Sequence, residues 1–325
     1  MRVLLCGGAG YIGTHVALKF LERGDTVGIF DDLSSGLSEN VDKRSLFYKG
    51  SINNLDDLKD VFEEQWDVVV HLAAFKAAGE SMQNPAKYAY NNISGTLNLI
   101  SEATKANVKY FILSSSAAVY GEPEYLPIDE NHPTVCENYY GYTKLAIEEN
   151  LKWFEKLKNL KYVSLRYFNA AGYDVEGKMI GLERKPANLI PVVMEVATGK
   201  RSHIEIFGDD YPTDDGTGVR DYIHVTDLAD AHLKAADYLI EKDQSLIVNL
   251  GSENGLSVKE IIESARKITG EPIEQKIVGR RSGDPAKLIA SSSKAKEILG
   301  WEAKYSDLDT IIKSTWDVYR LNEQK

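Results

Sequence analysis

Tyr140 and Lys144 stand four residues apart at the start of the stretch "YYGYTKLAIEENL". In a helix that spacing puts both side chains on one face. A lysine ammonium beside a phenol favours the phenolate, lowering a pKa that is ordinarily about 10. Tyr140 is then a proton acceptor for an alcohol. Ser116, in "SSSAAVYG", is expected at the C-terminal end of a strand, where its hydroxyl can meet the same substrate oxygen. Ligands of parallel sheets bind at that end. Each residue alone is ordinary: the chain has 18 tyrosines, a surface lysine is usually solvated, and serine runs make turn hydrogen bonds.

A base of this kind needs a hydride acceptor, and the N-terminus has the pattern for one. In "GGAGYIGTH", Gly7, Gly10 and Gly13 fall between the apolar run "RVLLC" and a helical repeat through Val16, Phe20 and Leu21. Glycines there allow a tight turn, close approach to a pyrophosphate and close helix packing, and the free amides at the helix start can take phosphates. The spacing is Gly-x-x-Gly-x-x-Gly, which also makes ordinary tight turns. Asp31 follows Gly13 by 18 residues, at the end of the second expected strand. A carboxylate there accepts hydrogen bonds from ribose hydroxyls and repels the extra phosphate of NADP, so NAD is the better fit. It would equally cap the following loop. Together the groups make an oxidation site in which phenolate takes the hydroxyl proton and nicotinamide takes hydride from the same carbon.

The elements that must position these groups alternate along the chain. Apolar runs "RVLLC", "TVGIFDD", "DVVVHLAA", "KYFILSSS" and "KYVSLRYFN" are separated by helical segments, among them "LDDLKDVFEEQ", "NISGTLNLISEATKAN" and "YYGYTKLAIEENLKWFEKL". This rhythm predicts an α/β fold with a doubly wound, mostly parallel, Rossmann-like sheet covered on both faces. After about Asn169 the rhythm lapses into shorter strands and helices. Residues 1–169 are therefore expected as the dinucleotide-binding domain and 170–325 as a smaller mixed α/β substrate lobe, with segments after 219 contributing to the first.

Composition narrows the class. A chain of 325 residues exceeds the usual single-core size. Its 43% hydrophobic and 27% charged residues are those of a globular protein. The net charge of -11 disfavours nucleic acid and anionic membranes as partners. Two cysteines, Cys6 and Cys136, offer neither a zinc spacing nor a disulfide framework, so no metal is expected. Without a leader pattern or a membrane-length apolar run, the reading is a cytoplasmic enzyme.

The set "GGAGYIG", Ser116 and Tyr140-Gly-Tyr-Thr-Lys144 resembles the extended short-chain dehydrogenase/reductase superfamily. Within it the chain is similar to the epimerases that interconvert UDP-glucose and UDP-galactose. The likeness runs through "DDLSSG", "HLAAFKAAGES", "NNISGTLNLI", "RYFNAAG", "NLIPVVMEVATGKR", "IFGDDYPTDDGTGVRDYIHVTDLADAH" and "RRSGDPAKLIASSSKAKEILGW". The resemblance implies tightly held NAD, with backbone contacts from Tyr11 and Ile12, ribose contacts from Asp31, adenine packing on Ile52, and Lys76, Tyr140 and Lys144 at the nicotinamide end. It implies a sugar-nucleotide site of Ser116, Tyr140, Asn169, Asn188, Leu189, Phe207, Arg220, Arg281 and Asp284. It also implies a homodimer joined through the helices around "NISGTLNLI" and "TKLAIEENL". A UDP-N-acetylglucosamine or UDP-pentose epimerase is the nearest rival, and Leu288, at a gate position, leans toward the plain hexose. Ser51 stands where an acidic residue often reaches adenine, and Tyr139 where proline is frequent. A dehydratase would need an acidic pair where this chain has Ala117 and Ala118.

Overall fold

In the first strand, Val3, Leu4, Leu5 and Cys6 are all fully buried, because that strand lies inside a sheet covered on both faces. The computed structural model describes residues 1–184, 186–281 and 284–323. The chain runs β1 (Arg2–Cys6), α1 (Tyr11–Arg23), β2 (Thr26–Asp31), β3 (Leu46–Lys49), α2 (Leu55–Val61), β4 (Val68–His71), α3 (Ala78–Gln83), α4 (Pro85–Tyr88) and α5 (Thr96–Lys105). It continues through β5 (Tyr110–Ser116), α6 (Tyr139–Lys158), β6 (Lys161–Tyr167), β7 (Asn169–Ala171), α7 (Leu189–Ala197), β8 (Ile204–Phe207), β9 (Val219–His224) and α8 (Val225–Lys242). The remainder is β10 (Leu246–Leu250), β11 (Gly255–Ser257), α9 (Val258–Thr269), β12 (Gln275–Val278), β13 (Lys287–Leu288), α10 (Ser293–Leu299) and α11 (Leu308–Glu323).

Seven strands form one parallel sheet in the order β3-β2-β1-β4-β5-β6-β10. The winding reverses between β1 and β4, and that switch point opens a crevice at the strands' carboxyl ends. Alternation along β1 divides the core. Val3 and Leu5 point to α1 and α8, joining Val16, Phe20, Leu228 and Leu239. Leu4 and Cys6 point the other way, to Leu58 of α2, Leu99 and Ile100 of α5, and Ile147 and Leu151 of α6. A two-residue period on the strand and a helical period on its covers produce this sandwich.

A third cluster gathers Ile190 and Met194 of α7, Ile204 and Ile206 of β8, Ile261 and Ile262 of α9, and Ile311 and Tyr319 of α11. Around it, β8 pairs with β12, and β9 is flanked by β11 and β13 and also pairs with β7. No helix among the described residues is long and apolar enough to cross a membrane.

One helix differs from the sequence expectation. The stretch expected as a single helix from Asn92 begins as a π-helical turn, Ala89–Gly95, and becomes regular only at Thr96. The wide turn points Asn92 inward, where its Oδ1 accepts from Phe75 N at 2.9 Å and its Nδ2 donates to Phe75 O at 2.9 Å and Thr143 Oγ1 at 3.1 Å. Such turns recur where a side chain must be re-aimed. Here the result fixes the loop after β4 to α6.

Candidate active site

The turn between β1 and α1 is built on backbone contact. Gly7 has φ +85°, and a Cβ there would lie 2.5 Å from Ala73 N; one at Gly13 would lie 2.4 Å from Gly7 O. Leu72 N and Ala73 N both donate to Cys6 O, at 2.8 and 2.9 Å, so the loop after β4 is drawn against this turn. Gly10 caps α1 with no side-chain bond, and the first turn holds no acidic residue. Its amides are left for an anion. The Tyr11 hydroxyl donates to the Gly172 carbonyl oxygen, tying the helix start to the segment after β7.

Asp31 ends β2 and is 7% exposed. Its Oδ2 accepts from Ala9 N at 3.0 Å and its Oδ1 from Leu33 N at 2.8 Å. The loop-cap role is therefore realised, and the same carboxylate braces the glycine turn. Burial raises its pKa, while these two amides oppose the shift. Each oxygen can still accept a further hydrogen bond. A cavity of about 570 Å³ runs past these groups, lined by Gly7, Gly10, Tyr11, Ile12, Gly13, Asp31, Ser51, Ile52, Lys76, Ser116, Tyr140 and Lys144. A narrow glycine cradle, free helix amides and a carboxylate at the next strand end fit a dinucleotide. The Lys76 ammonium meets the Glu183 carboxylate across the cleft and is thus already paired.

Tyr140 and Lys144 reach the cavity through two close approaches. Asn138 caps α6 by accepting from Gly141 N at 2.9 Å, and Tyr140 N donates to Ser81 Oγ at 3.0 Å. A Cβ on Gly141 would lie 2.2 Å from Ala118 O, so only glycine lets α6 abut the segment after β5. Ser116 is the last residue of β5. Lys144 is 3% exposed; its Nζ donates to Ser114 O at 2.8 Å and lies 6.0 Å from the Tyr140 ring centre.

The electrostatics correct one expectation. Burial raises the Tyr140 phenol above its usual range, with the Ser116 side chain opposing the shift. Removal from water drives this rise, and the group that opposes it is Ser116 rather than Lys144. Burial also pushes Lys144 down to about 8, against the pull of Glu148.

A second cavity, of about 750 Å³, meets the first at Asn169, Ala170, Ala187 and Asn188. Leu189, Phe207, Arg220, Arg281 and Asp284 line it. The Arg281 guanidinium stacks 3.7 Å from the Phe207 ring centre. Arg220 Nη2 lies 3.5 Å from Asp284 Oδ1 and its Nη1 donates to Val219 O at 3.0 Å. Asn169 Nδ2 donates to Asp221 O at 2.9 Å. Asn188 precedes α7 without capping it through its side chain. Leu288 packs against the cluster of Ala117, Val119 and Tyr120 and lines neither cavity.

Residues 3–251 match the model of the NAD dependent epimerase/dehydratase family. The chain belongs to that family. It is 47% identical over 322 residues to the UDP-glucose 4-epimerase of Halalkalibacterium halodurans, covering 98% of this chain and 96% of that protein. The UDP-glucose 4-epimerase of Brucella ovis, solved in complex with NAD, superposes with a TM-score of 0.95 at 41% identity, covering 98% of both chains. That of Bifidobacterium longum, solved with NAD+ and UDP, gives 0.95 at 39% identity over 99% of both.

Sequence reasoning missed one group in this epimerase/dehydratase-family chain. Glu148, one turn beyond Lys144 on α6, is 0% exposed and paired with Arg166, Nη2 to Oε2 at 2.5 Å. Its spacing was visible in "YTKLAIEE". A glutamate on a charged helix reads as solvated, and only the packing of β5 and β6 against α6 buries it.

Proposed function

We propose that this chain is an NAD-dependent epimerase that inverts C4 of a UDP-hexose, interconverting UDP-galactose and UDP-glucose through a transient 4-keto sugar. One observation carries the reading: Ser116, Tyr140 and Lys144 line the glycine-cradled cavity, which shares Asn169, Ala170, Ala187 and Asn188 with the arginine-lined one. Near-full-length likeness to proteins named UDP-glucose 4-epimerase supports it, as do neighbours solved with NAD and with UDP.

The chemistry that bound NAD would supply is reversible hydride transfer at C4. The amides of Tyr11 and Ile12 at the start of α1 would hold its pyrophosphate, brought close by the turn of Gly7, Gly10 and Gly13, with Asp31 at its adenosine ribose, Ile52 at its adenine face, and Lys76, Tyr140 and Lys144 at the other end. Tyr140 would take the 4-hydroxyl proton as phenolate and give it back to O4 after the sugar has turned over. Ser116 would hold that oxygen, and Lys144 would favour the phenolate through its charge. Arg220 and Arg281 suit the diphosphate, with Asn169, Asn188, Leu189, Phe207 and Asp284 around the rest of the nucleotide sugar. Anchoring UDP keeps the ketone in place while only the sugar rotates. Ala117 and Ala118 beside Ser116 cannot protonate a leaving hydroxyl, which disfavours dehydration.

The division into a 1–169 dinucleotide domain and a 170–325 sugar-nucleotide lobe belongs to this reading. In support, α8 and β10 pack into the first unit and α7, α9 and α11 share a separate core. A homodimer is the proposed assembly, supported by exposed Tyr90, Tyr142, Trp153 and Leu157 on and beside α6. A cytoplasmic location fits two unpaired cysteines. Incubation with UDP-galactose and no added NAD should yield UDP-glucose, followed by chromatography from both directions. No product even with NAD added would refute the hexose reading and turn the assay to UDP-N-acetylhexosamines and UDP-pentoses.

A further inference from the structure

Tyr140, Lys144 and Glu148 follow one another at four-residue steps on α6, so the three side chains line one stripe of the helix. Glu148 ends that stripe inside the protein, with no exposed surface. Arg166 Nε donates to its Oε1 at 3.0 Å and Nη2 to its Oε2 at 2.5 Å, while Ser115 Oγ donates to Oε1 at 2.6 Å. Ser115 and Arg166 are direct partners in the β5–β6 ladder, one step before Ser116 and Tyr167. The remaining donor, Arg166 Nη1, reaches Tyr120 Oη at 3.0 Å, which donates to Asn249 Oδ1 at 2.6 Å. An ion pair this deep adds little net stability over an apolar pair of equal volume. Its placement directly behind the reacting groups gives it another use.

We infer that Glu148, fixed by Arg166 and Ser115, is a positioning residue for the epimerase reaction, supplying the negative field that keeps buried Lys144 cationic beside Tyr140. This rests on the function proposed above. Among the described residues, Lys144 has one hydrogen-bond acceptor, the Ser114 carbonyl. The titratable groups facing it are Tyr140 and Glu148 on α6 and His71 on β4, with Arg166 of β6 bound to Glu148 and Tyr167 of β6 beside Tyr140. Burial keeps His71 uncharged and raises Tyr167. Around Glu148, burial likewise raises Tyr120, Tyr162 and Cys136. Among the described residues, the carboxylate nearest Lys144 along its own helix face is therefore Glu148, and Arg166 holds it there while partly offsetting its charge.

The test is the pH profile of kcat for the NAD-loaded enzyme with UDP-galactose, comparing wild type, E148Q and E148Q/R166Q. The alkaline limb reports loss of the Lys144 proton. E148Q keeps the shape of the side chain but removes its charge and leaves Arg166 unopposed, so the limb should move down by about one to two pH units. The double variant, with neither charge, should fall between E148Q and wild type. A purely structural brace would lower kcat and leave the limb in place. An unmoved or raised limb in E148Q overturns the inference, and should E148Q not fold, a double variant with its limb at or above the wild-type position does the same. Wild-type protein inactive on UDP-galactose would instead refute the proposed function. In that event carbon-13 titration of the Lys144 side chain, assigned by loss of its signal in K144M, tests the same displacement without substrate.

Discussion

Replacing Lys144 with methionine isolates the charge on which the proposed base depends. Methionine fills similar apolar volume along α6 and removes the ammonium that sits 6.0 Å from the Tyr140 ring centre. At an effective dielectric of about 20, a unit charge at that separation favours the phenolate by about 3 kcal/mol, or about two pH units. Burial already drives the phenol upward, and the Ser116 side chain opposes that rise. With NAD saturating, kcat for UDP-galactose at neutral pH should therefore fall about 100-fold, while KM, set by a remote UDP anchor, changes little. The profile should change shape as well. Wild-type activity should decline as Lys144, pushed down to about 8, gives up its proton. The variant should lack that decline and keep climbing with pH as Tyr140 ionises. A loss below about threefold, or an alkaline limb that survives, would refute the assignment of Lys144 as the group that tunes Tyr140.

Gly7→Ala and Gly24→Ala both force alanine into positive φ, at +85° and +92°, but only the first meets backbone, Ala73 N at 2.5 Å. Chemical denaturation should show about 1–2 kcal/mol lost at Gly24 and a further 1–3 kcal/mol at Gly7; equal losses would mean that the loop after β4 yields. Arg281→Ala should raise the KM for UDP-galactose about tenfold or more, by loss of a charged contact to diphosphate, with a smaller effect on kcat. An unchanged KM would remove Arg281 from the site. Burial holds His15 at about 4, His71 at about 3, His224 at about 3 and His232 at about 4. The unfolded chain binds these protons first, so stability should be lost as pH falls below about 6.5, by about 1.4 kcal/mol per unit for each histidine. Asp221, raised to about 6 by burial, gains its proton earlier in the folded state and offsets one of the four between about pH 6 and 4. Denaturation midpoints that stay flat from pH 7 to 5 would contradict this balance.

Much of the sheet was legible because most of its strands carry short continuous apolar runs, such as the three valines that open Val68–His71, and its helices are amphipathic, as with Tyr139–Lys158. The π-helical turn at Ala89–Gly95 was not, since nothing in the local pattern distinguishes it from the helix it precedes. Its cause is remote: Asn92 is held by Phe75 and Thr143. The pairing of β10 with β6 was anticipated only as segments after 219 contributing to the first unit, because a strand's neighbours are chosen by topology rather than composition.

The sequence by itself determined the proposed site groups and their local spacing: a glycine turn, Asp31 at a strand end, and Tyr140 and Lys144 on one helical face. These follow from backbone geometry over a few residues. Tertiary structure decided the rest. It set Ser116 near Tyr140 through the contact of Gly141 with Ala118, and it joined the two cavities at Asn169 and Asn188. It also decided the sign of the Tyr140 shift and the burial of Glu148, since charge energies depend on which groups are withdrawn from water together, a property of packing that no single segment carries.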